Sequence, residues 1–489
     1  MLVPAALSDP GCVPKGSLPV SSNAVTLSRE PYGRISAPTR GQFAVPGCGS
    51  HSGTVRRGVR SRHGRCSRTV LVGSGRRRAS CWQLDPMNRS GHHPHLQVFW
   101  LDDALGCRRS AHVGVLALRA IMATVGSAED VLGHRVVRAM RLGRVPGCAV
   151  ACVSEGEVVW TAGFGIADET VDSSVSPATT FQVASVSKVV TAWAAMALVA
   201  DDKITLDSPI VEHLTGWRFD QSLFDPVRIT LRGLLTHTAG LPTAASPTYP
   251  SPDAVPALAD VLAGRTDNPA ALPLEQPGTR FRYSNLGYAV IESVIEELSG
   301  QIFADFARVR ILEPLGMDAT TCDPSGAVAP EAAGPHRRSG SPLPKVFFNN
   351  RAAGGLVTTP ADLAKLARAM TVTPHRARGE PVLPPNLVEQ MWTSSPPAMG
   401  AFALRTGGYG MGQVWGTLAS GTRFAANQGS RPGWRALLLC LPDRGEAIIA
   451  MTNSDSGLMP LGYIAARWLK LVAREPPALH RVIRLRHGS

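Results

Sequence analysis

The pattern of apolar and polar positions predicts strands at the start of the patterned part of the chain. Residues 145–152 are mostly apolar, and a second apolar stretch runs from Glu157 to Phe164 after a Glu155-Gly156 step. Two such stretches around a short glycine-containing turn are typical of a β-hairpin. Just before them, Ala128–Gly143 has the spacing of an amphipathic helix.

Helical patterns dominate the middle of the sequence. Ser185–Ala200 is apolar on nearly every helical face, which predicts a helix buried on nearly every side. Leu286–Leu298 is amphipathic and is closed by Gly300, and we expect its polar face to carry Glu292, Glu296 and Glu297. Shorter helices are predicted after Asp207-Ser208-Pro209, after Thr230 over Leu231–His237, and from Thr359-Pro360 to about Met370. Long surface loops are predicted at 242–277 and 324–344.

Strand patterns return after Gly408. Apolar stretches at Trp434–Cys440 and Ala447–Thr452 flank a Pro-Asp-Arg-Gly turn, and a last helix is predicted over about Met459–Leu471. Strands at both ends with helices between them indicate one sheet assembled from both ends of the chain, with a helical insertion. The predicted fold class is therefore α+β, with a helical subdomain at about residues 206–355.

The composition is that of a globular protein. The chain has 489 residues, of which 44% are hydrophobic, and this excludes wholesale disorder and fibrous repeats. Its longest uncharged apolar run is the 12 residues Val189–Ala200, well short of the roughly 20 that cross a membrane. We therefore expect a soluble protein without a membrane partner.

The net charge of +13 is concentrated in a leading segment. Residues 1–121 hold 17 basic and 5 acidic side chains, which leaves +1 for residues 122–489. The charge therefore gives no evidence that the folded part binds nucleic acid.

The leading segment, residues 1–121, is rich in Arg, Gly, Ser, His and Pro, and we expect no packed domain there. It is interpreted as a basic arm that binds nucleic acid, as a targeting or regulatory arm, or as upstream sequence that is not translated natively. We favour the third interpretation, because ordered patterning begins just after Met122. Without a secretory pattern at its start, the protein is predicted to be cytoplasmic. A folded domain at 122–472 and a basic tail at 473–489 complete the predicted division.

Cysteine placement favours reduced thiols over disulfides or metal sites. Five of the nine cysteines lie in the leading segment, without the spacing of metal ligands. Cys148 and Cys152 stand four residues apart in a predicted strand, about 13 Å from each other, which is too far for a disulfide. We expect them to be core thiols, as in a reducing compartment.

Lysine is rare in this chain, which has only six, so each one is informative. Lys188 follows Ser185 by three residues at the start of the predicted buried helix. Residues one helical turn apart share a face, so the amine can reach the hydroxyl and accept its proton. Unlike Arg, a partly buried Lys can lose its proton and act as a base. The structural alternative is a helix cap followed by a surface lysine.

A second candidate pair lies in Tyr283-Ser284-Asn285, the only Tyr-x-Asn in the chain. A tyrosine near a lysine ammonium can have its phenol pKa lowered and serve as a base, and an asparagine can orient the lysine and the substrate. The structural alternative is a core tyrosine and a helix cap. The two motifs together, in this order around a helical block, favour a catalytic set.

With these motifs the chain resembles the serine β-lactamase and penicillin-recognising family, in its class C branch. That branch includes β-lactamases, DD-carboxypeptidases, D-aminopeptidases and β-lactamase-like carboxylesterases. The resemblance spans about 130–472 and includes Leu234–Pro242, Gln276–Thr279, Leu315–Met317 and Ala353–Leu356 running into Thr359–Leu363.

This resemblance implies an antiparallel sheet flanked by helices, with the active site between the sheet and an inserted helical subdomain. It implies that Ser185 is the nucleophile, that Lys188 and Tyr283 transfer its proton, and that Asn285 orients Lys188. Because the sequence has no metal-site or nucleotide-loop motif, we expect no metal or other cofactor.

The family's third motif, Lys-Thr-Gly or His-x-Gly on the sheet-edge strand beside the nucleophile, is altered here. The matching place holds Asn427-Gln428-Gly429-Ser430, without the cation. Asn427 and Gly429 are expected to contact substrate, but an asparagine lacks the charge that attracts a carboxylate. The backbone N–H groups of Ser185 and Ser430 can still form an oxyanion hole. The sequence leaves open whether Arg423, Arg431 or Arg435 replaces the lost charge.

Together these features predict a serine hydrolase that forms an acyl-enzyme. We expect its small-molecule substrate to be an uncharged acyl ester or amide, as for a carboxylesterase. The alternatives are a β-lactamase or DD-peptidase, a D-aminopeptidase-type amidase or acyltransferase, and a catalytically silent binding or assembly module. His237 is expected to be structural. The sequence has no Gly-x-Ser-x-Gly elbow, glycine-rich nucleotide loop or His-Glu-x-x-His site.

Overall fold

The structure of the chain is a computed structural model. It describes residues 128–169, 172–219, 222–243, 247–323, 332–371, 381–392 and 406–474, and the backbone of residues 70–72 and 80–82. The last two stretches are the short strands β1 (Val70–Val72) and β2 (Ser80–Trp82), which pair antiparallel as a unit of their own. The expectations for the rest of the leading segment, and for the basic tail beyond residue 474, lie outside the described residues.

One eight-stranded antiparallel sheet forms the centre of the fold. Its strands are β3 (Gly147–Ser154), β4 (Glu157–Asp168), β5 (Ser173–Ser174), β8 (Thr406–Tyr409), β9 (Val414–Thr417), β10 (Arg423–Arg431), β11 (Trp434–Leu441) and β12 (Glu446–Thr452). They lie in the order β5-β4-β3-β12-β11-β10-β9-β8. Because β3 pairs with β12, the sheet is assembled from both ends of the domain, which confirms the prediction. Two further strands, β6 (Phe181–Gln182) and β7 (Val357–Thr358), pair with each other.

Helices cover both faces of this sheet. In chain order they are α1 (Ala128–Gly143), α2 (Ser187–Ala200), α3 (Leu231–Leu235), α4 (Leu258–Leu262), α5 (Asn285–Ser299), α6 (Phe303–Ala307), α7 (Arg351–Gly354), α8 (Pro360–Ala369), α9 (Pro385–Gln390) and α10 (Leu458–Leu471). Helices α1 and α10 pack on one face. Helix α8 and the helices α2 to α7, which come between β6 and β7 in the chain, lie on the other face. Within the described ranges, no helix is long and apolar enough to cross a membrane.

Strand β3 shows how the sequence divides between these two faces. Cys148, Val150 and Cys152 face α1 and α10, whereas Ala149 and Ala151 face α2 and α8. This follows from the two-residue alternation of side chains along a strand. Both cysteines are buried free thiols, as predicted, and burial raises the pKa of each thiol.

The two longest predicted helices of the middle region are confirmed. Every residue of α2 from Ser187 to Leu198 is buried. Helix α5 is capped at its N-terminus by Ser284, whose side-chain oxygen accepts a hydrogen bond from the Gly287 N–H at 3.1 Å. It ends at Gly300, which has the positive φ of 68° that favours glycine.

Three details differ from the predictions. Asp207-Ser208-Pro209 opens only the 3₁₀ turn Ile210–His213, whose first N–H is bonded to the Ile229 carbonyl. The predicted loop at 242–277 contains α4. Glu292 does not lie on an exposed helix face, because α7 packs on that side of α5 and leaves the side chain 0% exposed. Periodicity within one helix does not reveal a second helix packed on its polar face.

Candidate active site

The turn that carries Ser185 is held tightly between β6 and α2. Ser185 lies in the 3₁₀ turn Ala184–Val186, where Ala184 has a φ of +46°, a strained value for a residue with a Cβ. The Ser187 hydroxyl donates to the Ala184 carbonyl at 2.6 Å and accepts from the Leu356 N–H at 2.9 Å. These bonds fix the position of the Ser185 side chain at the start of the buried helix.

Lys188 is buried beside this serine. Its Nζ lies 3.3 Å from Ser185 Oγ, 2.9 Å from Asn285 Oδ1 and 2.7 Å from the Ala353 carbonyl oxygen. Burial, followed by the positive charge of Arg431, holds the pKa of the amine well below its usual value. A neutral amine has two N–H bonds, which the two carbonyl oxygens accept, and one lone pair, which is then left for Ser185.

Tyr283 contacts the same serine from the other side. Its hydroxyl lies 3.0 Å from Ser185 Oγ and donates to it. Burial raises the pKa of the phenol to about 12, although the bond to Ser185 acts in the opposite direction. The sequence-based argument expected a lowered pKa, but in the folded site the effect of burial is the larger one. Tyr283 is therefore a neutral donor in the resting site.

An aromatic cluster supports Tyr283 and surrounds His237. The His237 ring centroid lies 4.2 Å from that of Tyr283 and 4.6 Å from that of Tyr409. Its Nδ1 accepts the Ser284 N–H at 3.2 Å, and burial lowers the pKa of the imidazole well below its usual value. A neutral ring in this position agrees with the structural role expected for His237. Sequence reasoning did not find Tyr409, which lies more than 120 residues away in the chain.

The short helix α7 supplies three backbone acceptors to this region. The carbonyl oxygens of Ala352, Ala353 and Gly354 accept hydrogen bonds from Thr191 at 2.7 Å, Lys188 at 2.7 Å and Arg431 at 3.1 Å, respectively. The buried Glu292 accepts the Ala352 N–H at 3.0 Å. Sequence reasoning found Ala353-Gly354 only through the family resemblance, since a backbone carbonyl has no side-chain signature.

Asn427 lies in the altered third motif, on β10. Its Nδ2 donates to the Gly412 carbonyl at 2.5 Å, and a Cβ on Gly412 would lie 2.5 Å from the Lys188 carbonyl oxygen. The Asn427 amide thus ties β10 to a loop that touches α2. In contrast to the expectation of a sheet-edge strand, β9 and β8 lie outside β10.

The second half of β10 nevertheless has one open side. Strand β9 pairs with it only over Arg423–Ala426, so among the described residues no strand pairs with this side from Asn427 onward. A Cβ on Gly429 would lie 1.9 Å from the Val183 carbonyl oxygen, so only glycine lets β10 approach the nucleophile turn. Ser430 follows it and is exposed.

The three arginines considered as replacement cations have different environments. Arg423 is 38% exposed and pairs with Asp443 and Glu389. Arg435 pairs with Asp455 at 3.3 Å. Arg431 alone of the three is buried, and its Nη1 donates to the Gly354 carbonyl, next to the acceptor of Lys188. It is therefore the arginine that belongs to the site region.

A small cleft of about 40 Å³ adjoins the elements that carry the site. Its lining includes Gln182, three residues before Ser185, and Trp434, three residues after Arg431. The exposed Lys345 also lines it. Elsewhere in the described part of the chain, no group of three or more His, Cys, Asp or Glu side chains could hold a metal ion.

Comparisons with known proteins point to one family. The family model described as Beta-lactamase matches residues 134–473. "Unguisins hydrolase ungD'" of Aspergillus campestris is 28% identical over 329 residues, which are 63% of this chain and 59% of that protein. "Protein flp" of Staphylococcus aureus is 27% identical over 183 residues, 37% of this chain and 36% of that protein. The chain thus spans less than two thirds of the length of either relative.

Solved structures show the same fold. SurE superposes with a TM-score of 0.58 at 27% identity, over 70% of this chain and 76% of that one. SurE with D-Leu gives 0.57 at 27% identity, over 71% and 76% of the two chains. An octameric penicillin-binding protein homologue from Pyrococcus abyssi gives 0.58 at 24% identity, over 71% and 78%.

Proposed function

The chain belongs to the β-lactamase family of serine hydrolases, and we propose that it hydrolyses uncharged acyl esters or amides through an acyl-enzyme, as a carboxylesterase does. One observation carries the proposal. Ser185 Oγ lies 3.3 Å from the amine of Lys188 and 3.0 Å from the hydroxyl of Tyr283, so a nucleophile, a base and a proton donor meet at one atom. A silent module would not need this arrangement around a buried lysine.

The acylation step follows from the protonation states. Lys188 accepts the Ser185 proton while Oγ bonds to the acyl carbon and the carbonyl electron pair moves to oxygen. The N–H groups of Ser185 and Ser430 are the proposed donors to this oxyanion. When the bond to the leaving group breaks, Tyr283 protonates that group and takes a proton from the Lys188 ammonium. The enzyme is then acylated, with Lys188 neutral again.

Deacylation repeats these transfers with water. Lys188, directly or through Tyr283, accepts a proton from water as the water oxygen attacks the acyl carbon. The Ser185 oxygen leaves and is protonated again, which releases the carboxylic acid. Asn285 supports both steps because its Oδ1 accepts one N–H of Lys188 and so orients the lone pair.

The preference for uncharged substrates rests on Asn427. A neutral amide replaces the cation of the third motif, and its Nδ2 already donates to the Gly412 carbonyl. This position therefore contributes no charge toward the carboxylate of a β-lactam or a D-Ala-D-Ala peptide. We propose a cytoplasmic location as well, since the described cysteines Cys148, Cys152, Cys322 and Cys440 are all free thiols.

The test uses the full chain and p-nitrophenyl butyrate. We expect steady release of p-nitrophenolate, at least about 1000-fold slower for Ser185→Ala, because that variant keeps binding but loses the nucleophile. The exposed Ser420→Ala serves as the matched control and should retain full activity. Equal release by Ser185→Ala, or none by any form, would favour a silent module. Efficient turnover of a cephalosporin would refute the preference for uncharged substrates.

A second candidate is a D-amino-acid amidase or peptidase, favoured by one comparison. SurE, at 27% identity, has a solved structure with D-Leu. The same Ser185 chemistry would apply, and only the leaving group would differ. Faster hydrolysis of D-leucine p-nitroanilide than of p-nitrophenyl butyrate, relative to the uncatalysed rates, would favour this candidate. No selectivity for the D over the L anilide would argue against it.

A further inference from the structure

The described chain has two buried basic side chains, Lys188 on α2 and Arg431 on β10, and both donate hydrogen bonds to backbone carbonyls of the short helix α7. Lys188 is 0% exposed and Arg431 is 6% exposed, whereas every other described lysine and arginine is at least partly exposed. Lys188 donates to the carbonyl of Ala353 and Arg431 to that of Gly354, so their acceptors are adjacent peptide units of α7. This juxtaposition places two basic groups in one buried region, where their positive forms would repel each other.

Arg431 is held there by neutral groups alone. Its Nη2 donates to Asn350 Oδ1 at 2.9 Å, and its Cζ lies 3.1 Å from the centroid of the Phe348 ring. No carboxylate of the described residues lies within ion-pair distance of it. A Cβ on Gly354 would lie 2.8 Å from its Nη2, so glycine at this position makes room for the guanidinium.

Burying a cation without a carboxylate partner lowers the free energy of unfolding. Burial lowers the pKa of Arg431 to about 9, which still leaves the guanidinium charged at neutral pH. Its charge lowers the pKa of Lys188 further, in addition to the effect of burial. Of two adjacent cations in a region of low dielectric constant, the lysine is the one that gives up its proton.

The other groups around Lys188 do not offset this charge. The rings of Tyr283 and Tyr288, both on or next to α5, lie 5.0 Å and 5.2 Å from its Nζ, and burial raises the pKa of both phenols. Burial also lowers the pKa of His237 and raises the pKa of Tyr409, which favours the neutral form of both side chains. Glu292, below α7, has its pKa raised to about 8 by burial, so it is mostly protonated at pH 7.

We propose that Arg431 is a positioning residue for the catalytic base: its fixed, buried charge keeps the neighbouring Lys188 amine neutral and ready to accept the Ser185 proton. This inference rests on the proposed serine hydrolase function. It assigns to Arg431 a role different from that of the missing motif cation, because the guanidinium acts on the base and makes no contact with the substrate. Without this charge only burial would lower the Lys188 pKa, so a larger fraction of the amine would be protonated and lack a lone pair for Ser185.

The first test compares pH profiles of kcat/KM for p-nitrophenyl butyrate. In Arg431→Gln we expect the acid limb to move up by at least one pH unit, so that activity falls about tenfold at the foot of that limb and recovers at high pH. Arg431→Lys keeps the charge and should keep the limb near its original position. The matched control is Arg423→Gln. Arg423 is on the same strand, but it is 38% exposed and pairs with Asp443, so this variant should leave the profile unchanged.

Two outcomes would overturn the proposal. A uniform loss of activity in Arg431→Gln with an unmoved limb would mean that Arg431 only supports packing. An unmoved limb with KM raised selectively for the half-ester of a dicarboxylic acid would mean that Arg431 binds a substrate carboxylate.

A second test does not depend on activity, and it follows the titration in the unmodified chain. The chain has only six lysines, so ε-¹³C-lysine labelling gives six signals, and Lys188→Arg identifies the one from Lys188. In the unmodified chain we expect this signal to titrate well below the other five. Titration together with the others would refute a neutral Lys188. The proposed hydrolase fails separately, by equal ester release from Ser185→Ala.

Discussion

Strands β3 and β10 belong to the same sheet but differ in what their residues contact. Strand β3 is buried from Gly147 to Val153 and is paired on both sides, with β12 and β4. Strand β10 is paired with β9 only as far as Ala426. The residues after Ala426 are the buried Asn427, the half-buried Gln428, Gly429, the exposed Ser430 and the buried Arg431. The residues of the candidate site lie beside this second half.

The difference shows how one sheet serves both folding and chemistry. In β3, the side chains from Cys148 to Val153 pack into one of two apolar layers, so they contribute to the free energy of unfolding. In the second half of β10, three residues contact distant segments: Asn427 contacts Gly412, Gly429 lies against Val183, and Arg431 contacts Gly354. Substitutions there should change catalysis, whereas substitutions in β3 should change stability alone.

The largest effect is expected from Gly429→Ala in β10. The added Cβ would lie 1.9 Å from the Val183 carbonyl oxygen, so the strand and the Ser185 turn must separate. We expect kcat/KM for p-nitrophenyl butyrate to fall at least about 100-fold, because a shift of about 1 Å in a catalytic group has that effect. The control is Gly462→Ala in α10, where an added Cβ meets nothing within 4 Å. This variant should keep full activity. Equal activity of both variants would contradict the close approach.

Asn427→Ala should have the next largest effect. It leaves the buried Gly412 carbonyl without the Asn427 amide, which should lower the free energy of unfolding by about 2 kcal/mol. Activity should also decline, since Gly412 touches the backbone of Lys188. Urea unfolding monitored by tryptophan fluorescence measures the first effect and ester hydrolysis the second. An unchanged unfolding midpoint would mean that the amide serves only the substrate.

In β3, Cys152→Ser should act on stability alone. The serine hydroxyl would lie among the apolar residues of the α1 and α10 layer, which should lower the free energy of unfolding by about 1–2 kcal/mol. Activity per folded molecule should remain within about twofold of the unsubstituted chain, because β3 does not contact the site residues. A loss of turnover at unchanged stability would break the proposed division between the two strands.

The smallest effect on turnover is expected from Glu292→Gln, which should change the pH dependence of stability. Burial raises the Glu292 pKa to about 8, so the folded protein binds a proton that the unfolded chain loses above about pH 4.5. Stability from this group is therefore full below pH 4.5, falls by up to about 1.4 kcal/mol per pH unit, and levels off above pH 8. Gln still accepts the Ala352 N–H, and it should flatten Tm against pH between 5 and 8. Parallel Tm curves for the two proteins would show that Glu292 is ionised in the folded state.

Local patterns in the sequence predicted much of the fold. The β3–β4 hairpin follows from Glu155-Gly156, both of which adopt positive φ in the turn, and α8 follows from the Thr359 cap and Pro360. The pair Ser185 and Lys188 follows from a spacing of three residues, which spans the 3₁₀ turn and the start of α2. In each case the partners are neighbours in the chain, so the signal lies within a short window.

Contacts between distant segments were out of reach of such patterns. The carbonyl acceptor of Lys188 belongs to Ala353, 165 positions later, and contributes no side chain that a motif could reveal. Glu292 has the spacing of an exposed residue and is buried only because α7 covers it. The sequence also offered three arginines for one role, and only tertiary packing distinguishes the buried Arg431 from Arg423 and Arg435.

The pairing of β3 with β12 has a consequence for synthesis on the ribosome. A nascent chain carries Ser185, Lys188 and Tyr283 long before β10, β11 and β12 have been translated. Until then β3 lacks a neighbour on that side, and the nucleophile turn lacks the Gly429 strand against which it packs. Contacts between such distant segments form late in folding. The catalytic centre is therefore completed only after β10 and β12 have been translated, and a shorter nascent chain lacks the complete arrangement around Ser185.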